Sequence, residues 1–332
     1  MRMFRACVWP LGLVCGTAMA QTGATGTATI PDWAFRPGGL GPLAAAPDAG
    51  SASATTSAED EEACEKSLRL PWGPIQTCKA AVITTAVATT AAVSFAAWWS
   101  QGFTTQFNFA QEGWFGPDTY SGGMDKLGHF FGFYVGTRLG SDALAWARVP
   151  ADEAIWLSAA INFGVGFGIE VLDAMSREGV YGFSWQDLTM DALGVGLGVL
   201  MQFRPELDRY FAVRWLYSPS GRPDSWYDHQ IYLIAFRLSG PSVIGRDNPL
   251  RYFELLAGYG AKGFNSDFDY SQGDTRQRTV YLGIGLNLTE IFDRTVFSGS
   301  WRGSRTQRIT DGILRYVQVP GTAAAVSHTW RP

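Results

Sequence analysis

Residues 125–140 read DKLGHFFGFYVGTRLG. Glycine stands at every fourth position, at 128, 132, 136 and 140, and on a helix such a row forms a groove where a second backbone can approach closely. Glycine destabilises a solvent-exposed helix, so the pattern predicts a tightly packed helix rather than a loop. Gly164 and Gly168, then Gly194 and Gly198, repeat the device within further apolar runs. Those runs span 127–147, 154–169 and 188–203, and a fourth, 80–99, has 20 residues without a charge, long enough to cross a bilayer. The other three suit lipid less well. The 127–147 run holds Arg138 and Asp142, the 154–169 run has only 16 uncharged residues, and the 188–203 run contains Asp191. Four spans from an exported N-terminus would also leave Arg204, Arg209 and Arg214 on the exported side, against the positive-inside tendency. The expectation is a small-residue helical bundle over residues 63–215, at or partly within a membrane.

Beyond Arg214 the period changes to that of strands. Val280, Leu282, Ile284, Leu286 and Leu288 alternate with Tyr281, Gly283, Gly285, Asn287 and Thr289. Residues 231–238 and 252–259 look similar, and 312–319 adds a further candidate after the Pro/Gly/Ser-rich connector 218–224. Four or five strands are too few for a closed transmembrane barrel. They predict an antiparallel sheet over 225–320 packed on the bundle or the membrane surface, and hence an α+β, membrane-associated fold.

The chain opens MRMFRACVWPLGLVCGTAMA, with Arg2 and Arg5 before an apolar segment that closes on Ala18-Met19-Ala20. This is the pattern of a signal peptide, residues 1–20, cleaved before Gln21. Lipidation at Cys15 is the alternative, but Gly12-Leu13-Val14 lacks the usual small residues beside the cysteine. Without the leader, 24 Lys+Arg face 30 Asp+Glu, and the formal charge moves from −4 to −6. Nothing in that balance suggests a nucleic-acid partner. Only 17% of residues are charged, against about 25% in soluble domains, which leans toward contact with lipid. Residues 21–62, rich in Gly, Ala, Ser, Thr and Pro, read as a disordered tether. In an oxidising compartment Cys64 and Cys78 are most simply read as a disulfide, with metal ligation the weaker alternative.

The ionisable residues of the bundle share faces. Asp125 and His129 are four apart with Lys126 beside them; Glu170, Asp173 and Arg177 fall at i, i+3 and i+7; Asp187 and Asp191 are four apart behind Ser184, a candidate N-cap. Charges inside apolar helices are expensive unless paired, so they mark a ligand site or a structural network in which Lys126 and Arg177 neutralise the carboxylates. Catalytic candidates are His129, oriented by Asp125, with Asp187 and Asp191. No cofactor is required. Five carboxylates and one histidine could hold a hard divalent cation, although no spacing is diagnostic of zinc. His229 and His328 lack such company and read as structural.

The segments DKLGHFFGFYVG, GIEVLDAMSREG and GFSWQDLTMDALGVGLG resemble the YfiM-like family of predicted periplasmic lipoproteins, whose function is unknown. Its Asp-Lys-x-x-His, Glu-x-x-Asp and Ser-x-x-Asp pattern is matched by Asp125, Lys126, His129, Glu170, Asp173, Ser184, Asp187 and Asp191. GYGAKGF and YLGIGLNLTEIF extend the likeness to about residue 290, while a good lipobox is lacking. More distantly, the core is similar to VanZ-like membrane proteins, which implies an envelope-lipid role or glycopeptide tolerance. The type 2 phosphatidic acid phosphatase motif aligns with Ser176, Arg177 and Asp187, but Phe183 stands at its nucleophilic histidine, and phenylalanine cannot act as a nucleophile.

These readings predict a protein of the cell envelope, on the periplasmic side, that binds or assembles an envelope lipid or glycan through a polar pocket. Asp125, Lys126, His129, Glu170, Asp173, Arg177, Asp187 and Asp191 are its candidate binding residues. The alternative is a membrane-lipid or phosphoester hydrolase using His129 with the Asp187/Asp191 pair, Arg177 holding phosphate. Protein partners are not indicated.

Overall fold

A computed structural model of the protein describes residues 66–70, 73–110, 113–117, 119–177, 182–217, 226–264 and 274–331. The expected signal peptide, the 21–62 tether, Cys64 and the 218–224 connector lie outside the described residues. Cys78 is disulfide-bonded. A short hairpin, β1 (Ser67–Leu70) and β2 (Gly73–Gln76), leads into helix α1 (Thr77–Ala97). Helices α2 (Met124–Trp146), α3 (Ala151–Ala174) and α4 (Trp185–Phe203) follow. Each apolar run is therefore a helix. The run expected to end at 169 continues to Ala174, so α3 as well as α1 is long and apolar enough to cross a membrane.

The glycine rows act as packing surfaces on two of the three helices. A Cβ at Gly194 would collide with the carbonyl oxygen of Phe130, and one at Gly198 would lie 2.8 Å from Thr137 Cβ, so α4 rests directly on the α2 backbone. Gly136 and Gly140 likewise face Asn162 and Ser158 of α3. Gly164 and Gly168 do not serve this purpose, because a Cβ at either would meet nothing within 4 Å. The close approach on α3 falls instead at Gly166, where a Cβ would lie 2.5 Å from Asp191 Oδ2. Arg138, a charge in an apolar run, is fully buried and grips Asp208 through two hydrogen bonds of 2.6 and 2.8 Å.

The remaining chain forms a five-stranded antiparallel meander in sequence order: β3 (Phe211–Tyr217), β4 (Gln230–Arg237), β5 (Phe253–Lys262), β6 (Gln277–Leu286) and β7 (Ala323–Trp330). Strand β3 begins within the stretch assigned to the bundle, which closes at Phe203. Between β6 and β7 lie helices α5 (Leu288–Arg294) and α6 (Arg305–Tyr316). The strand expected at 312–319 is thus mostly the end of α6. Its β-branched residues are overruled by a helix started upstream, where Ser304 Oγ accepts from the Gln307 amide at 3.1 Å. Val317 makes only a parallel bridge with Trp215, and the fifth strand is β7.

One end of the sheet is packed on the bundle. Met124, Phe131, Tyr134 and Val135 of α2 meet Met201 of α4, Val213 and Trp215 of β3, Tyr232 of β4, Ala261 of β5 and Tyr316 of α6 in one buried cluster. Elsewhere on the sheet the ordinary polarity is reversed, with apolar side chains out on one face and charged ones buried on the other. Leu282 and Ile284 of β6 are 61% and 53% exposed, whereas Gly285, Glu254 and Arg214 are buried, with Arg214 paired to Glu254 and hydrogen-bonded to Gln318 at 2.8 Å.

Candidate functional site: a buried acidic cluster around His129

The site forms where the N-termini of α2 and α4 meet the C-terminal turns of α3. Ser121, Gly122 and Gly123 turn the chain into α2 with positive φ (48°, 64° and 89°), and a Cβ at Gly122 would strike Ala261 and Phe264 at 2.7–2.9 Å. That turn places Asp125 and Lys126 in the first helical turn, inside the molecule. At α4 the N-cap is the expected one, Ser184, whose Oγ accepts from the Asp187 amide at 3.2 Å. The Ser184 amide in turn donates to Glu170 Oε2 at 2.8 Å, which ties the end of α3 to the start of α4.

Lys126 is fully buried. Its Nζ lies 2.9 and 3.1 Å from the two oxygens of Asp187 and 3.3 Å from Asp125 Oδ2. His129, one turn along, places Nδ1 2.8 Å from Asp191 Oδ1, while its Nε2 is 4.0 Å from Asp125 Oδ1. The carboxylate that orients the imidazole is therefore Asp191, and Asp125, the expected orienter, is held by the Tyr227 hydroxyl at 2.8 Å. Asp191 Oδ2 is buried without a hydrogen-bond partner and rests against the bare Cα of Gly166. Asp173 lies at the edge of the group, accepting from Trp99 Nε1 at 2.6 Å.

Arg177 is not brought to the carboxylates. Helix α3 ends three residues before it, and its exposed guanidinium donates to the carbonyl oxygen of Phe103 at 2.6 Å. Phe183 is buried, its ring packed among Phe107, Phe109, Phe167 and Trp185.

Electrostatics follow from burial and crowding. Burial alone would lower the His129 pKa, but the carboxylates of Asp191, Asp187 and Asp125 outweigh it and hold the ring well above the ordinary histidine value. Burial pushes Asp191 up to about 6 and Glu170 up to about 9, against the pull of His129. Burial and the neighbouring Asp125 raise Asp187. Asp125 itself is lowered, because Lys126, His129 and the Tyr227 hydroxyl overcome its burial. The three carboxylates thus favour the protonated form of His129 and its use as a hydrogen-bond or proton donor, unless another cation takes their charge.

A groove lies beside this cluster. Val82, Ile83, Ala86 and Thr90 of α1 face Gly136 and Gly140 of α2 and Ile161, Asn162 and Val165 of α3 across a shallow open space of about 30 Å³. Phe133 lines the groove, and its ring stacks near His129 with centroids 6.3 Å apart, so one aromatic ring separates the apolar space from the polar cluster.

Residues 111–203 match the family described as predicted periplasmic lipoprotein (DUF2279). The matched stretch takes in α2, α3 and α4 whole, and with them Asp125, Lys126, His129, Glu170, Asp173, Ser184, Asp187 and Asp191. It stops before the sheet, so Tyr227, which bonds Asp125, lies outside it, as do GYGAKGF and YLGIGLNLTEIF. The family description agrees with an exported protein on the periplasmic side of the envelope. It gives no support to the VanZ-like likeness. No curated protein and no solved structure matches the chain.

Tyr227 is a residue of this cluster that sequence reasoning missed. It sits a hundred positions from Asp125, just past the connector, and no periodicity marks it.

Proposed function

We propose that the protein binds an envelope amphiphile, a lipid or a lipid-linked glycan, with its chain in the groove between α1, α2 and α3 and its polar end toward the His129 cluster. The observation that carries this reading is the placement of a shallow apolar groove, about 30 Å³ as it stands, one ring away from a buried cluster of ionisable groups. Ligand sites join mostly apolar walls to a few convergent polar groups in this way. Aromatic side chains at the site end of the bundle support a seat against a membrane. Phe109 and Trp185 are 60% and 61% exposed around Phe183, as expected of rings at a lipid–water interface.

The hydrolase alternative draws less support. The carboxylates around His129 favour its protonated form over that of a general base, and Arg177 is not placed to hold a phosphate at Asp187. Native mass spectrometry of detergent-extracted protein tests the binding reading. Wild type should carry a lipid-mass adduct that Ala86→Trp, which fills the groove, loses while remaining folded. An adduct retained in full by Ala86→Trp, or none on wild type extracted under mild conditions, would contradict it.

A further inference from the structure

The cluster contains two overlapping sets of ligand-type atoms. Asp125, His129 and Asp187 form one, and His129, Glu170 and Asp191 the other, each set with its atoms within 4.8 Å of one another. Their charge compensation differs. The first already holds a cation, the Lys126 ammonium between Asp125 and Asp187. The second has no ion pair from a lysine or arginine among the described residues, although Asp191 and Glu170 are 0% and 2% exposed. Four buried or part-buried carboxyl groups thus surround one ammonium and one imidazole, more ligand-type oxygens than these two cationic side chains can satisfy.

A second observation points to a ligand. Asp191 Oδ2 is buried without a hydrogen-bond partner, and it lies on the face of α3 that carries Glu170, one turn beyond Gly166. A buried carboxylate oxygen left in this way loses its solvation unless something binds it. Donor atoms bound to one ion at bond lengths of about 2.0–2.2 Å stand about 3–4 Å apart, so the three groups need draw in only slightly. Gly166 leaves the space Asp191 requires, and the Ser184 amide fixes Glu170 from behind, as groups outside a metal's ligand shell commonly do.

We infer that His129, Glu170 and Asp191 bind one divalent first-row metal ion, with the Lys126 ammonium serving as the fixed counter-cation of the neighbouring carboxylates. Two carboxylates with one imidazole suit manganese, iron(II) or zinc better than a purely oxygen-seeking ion. This inference stands independently of the amphiphile reading, because it concerns the cluster and not the groove.

The test uses the full chain in detergent, stripped with chelator and titrated with Mn²⁺. Electron paramagnetic resonance should show uptake of one ion per chain, and echo-envelope modulation should show coupling to an imidazole nitrogen. Asp191→Asn and Glu170→Gln should each abolish uptake. Should those variants fail to fold, the nitrogen coupling in wild type still decides the matter. No uptake at millimolar Mn²⁺, bound manganese without nitrogen coupling, or unchanged uptake in folded Asp191→Asn would overturn the inference.

Discussion

Lys126→Met removes an ammonium 2.9 Å from Asp187 and 3.3 Å from Asp125 while keeping an unbranched stem in the same space. Because the lysine side chain is fully buried, the two carboxylates it neutralised are left facing each other away from water. Removing one partner of a buried pair costs about 3–5 kcal/mol. At about 2–4 °C per kcal/mol for a domain of this size, Tm should fall by about 6–20 °C. Adding Asp187→Asn takes away one stranded charge, so the double variant should lose less than the two single losses combined. Denaturant and thermal melts in detergent at neutral pH read all three variants. A loss under about 1 kcal/mol for Lys126→Met, or additivity in the double variant, would refute the reasoning that this ammonium neutralises the cluster.

Two further outcomes follow from the packing and the titrating groups. Gly194→Leu should lower stability by at least about 1–3 kcal/mol, because any side chain there meets the Phe130 carbonyl, whereas Gly164→Ala, with nothing within 4 Å, should be neutral or stabilising by up to about 1 kcal/mol; equal effects would contradict the packing of α4 on α2. Asp191, Glu170 and His129 all have folded pKa values above their ordinary ones, so each binds protons more tightly when folded. Stability should therefore fall as pH rises, through about 4 to 6 for Asp191, through about 4.5 to 9 for Glu170 and upward from about 6.5 for His129. The alkaline part of this slope should become shallower in His129→Gln, where Glu170 still titrates, and denaturant melts from pH 6 to 9 that show stability rising with pH would contradict it.

Much of the bundle was legible because its signals are local. Long apolar runs gave the four helices, and glycine spacing marked α2 and α4 as close-packing helices without naming the partner of either. Spacing could not say which glycines of α3 face a neighbour, so Gly164 and Gly168 were taken where Gly166 does the packing. The sheet was harder to read. Alternation located β4, β5 and β6 but not which face is covered, and the apolar face of β6 is the exposed one. At 312–319 the β-branched residues outweighed a helix cap eight positions upstream. In the site, i to i+4 spacing grouped Asp125 with His129 and Asp187 with Asp191. The pairings that matter, His129 with Asp191 and Asp125 with Tyr227, cross between elements and depend on tertiary packing. Arg177 was misplaced because a helical period was carried past the end of α3.

The central claim is that the groove beside the His129 cluster holds an amphiphile, and crosslinking in living cells tests it most directly. A photoreactive residue at Ile161, which lines the groove, should yield an adduct of lipid mass on irradiation, and the same residue at Lys262, exposed at the end of β5, should not. Protein-only adducts from Ile161, or lipid captured equally at both positions, would contradict the account.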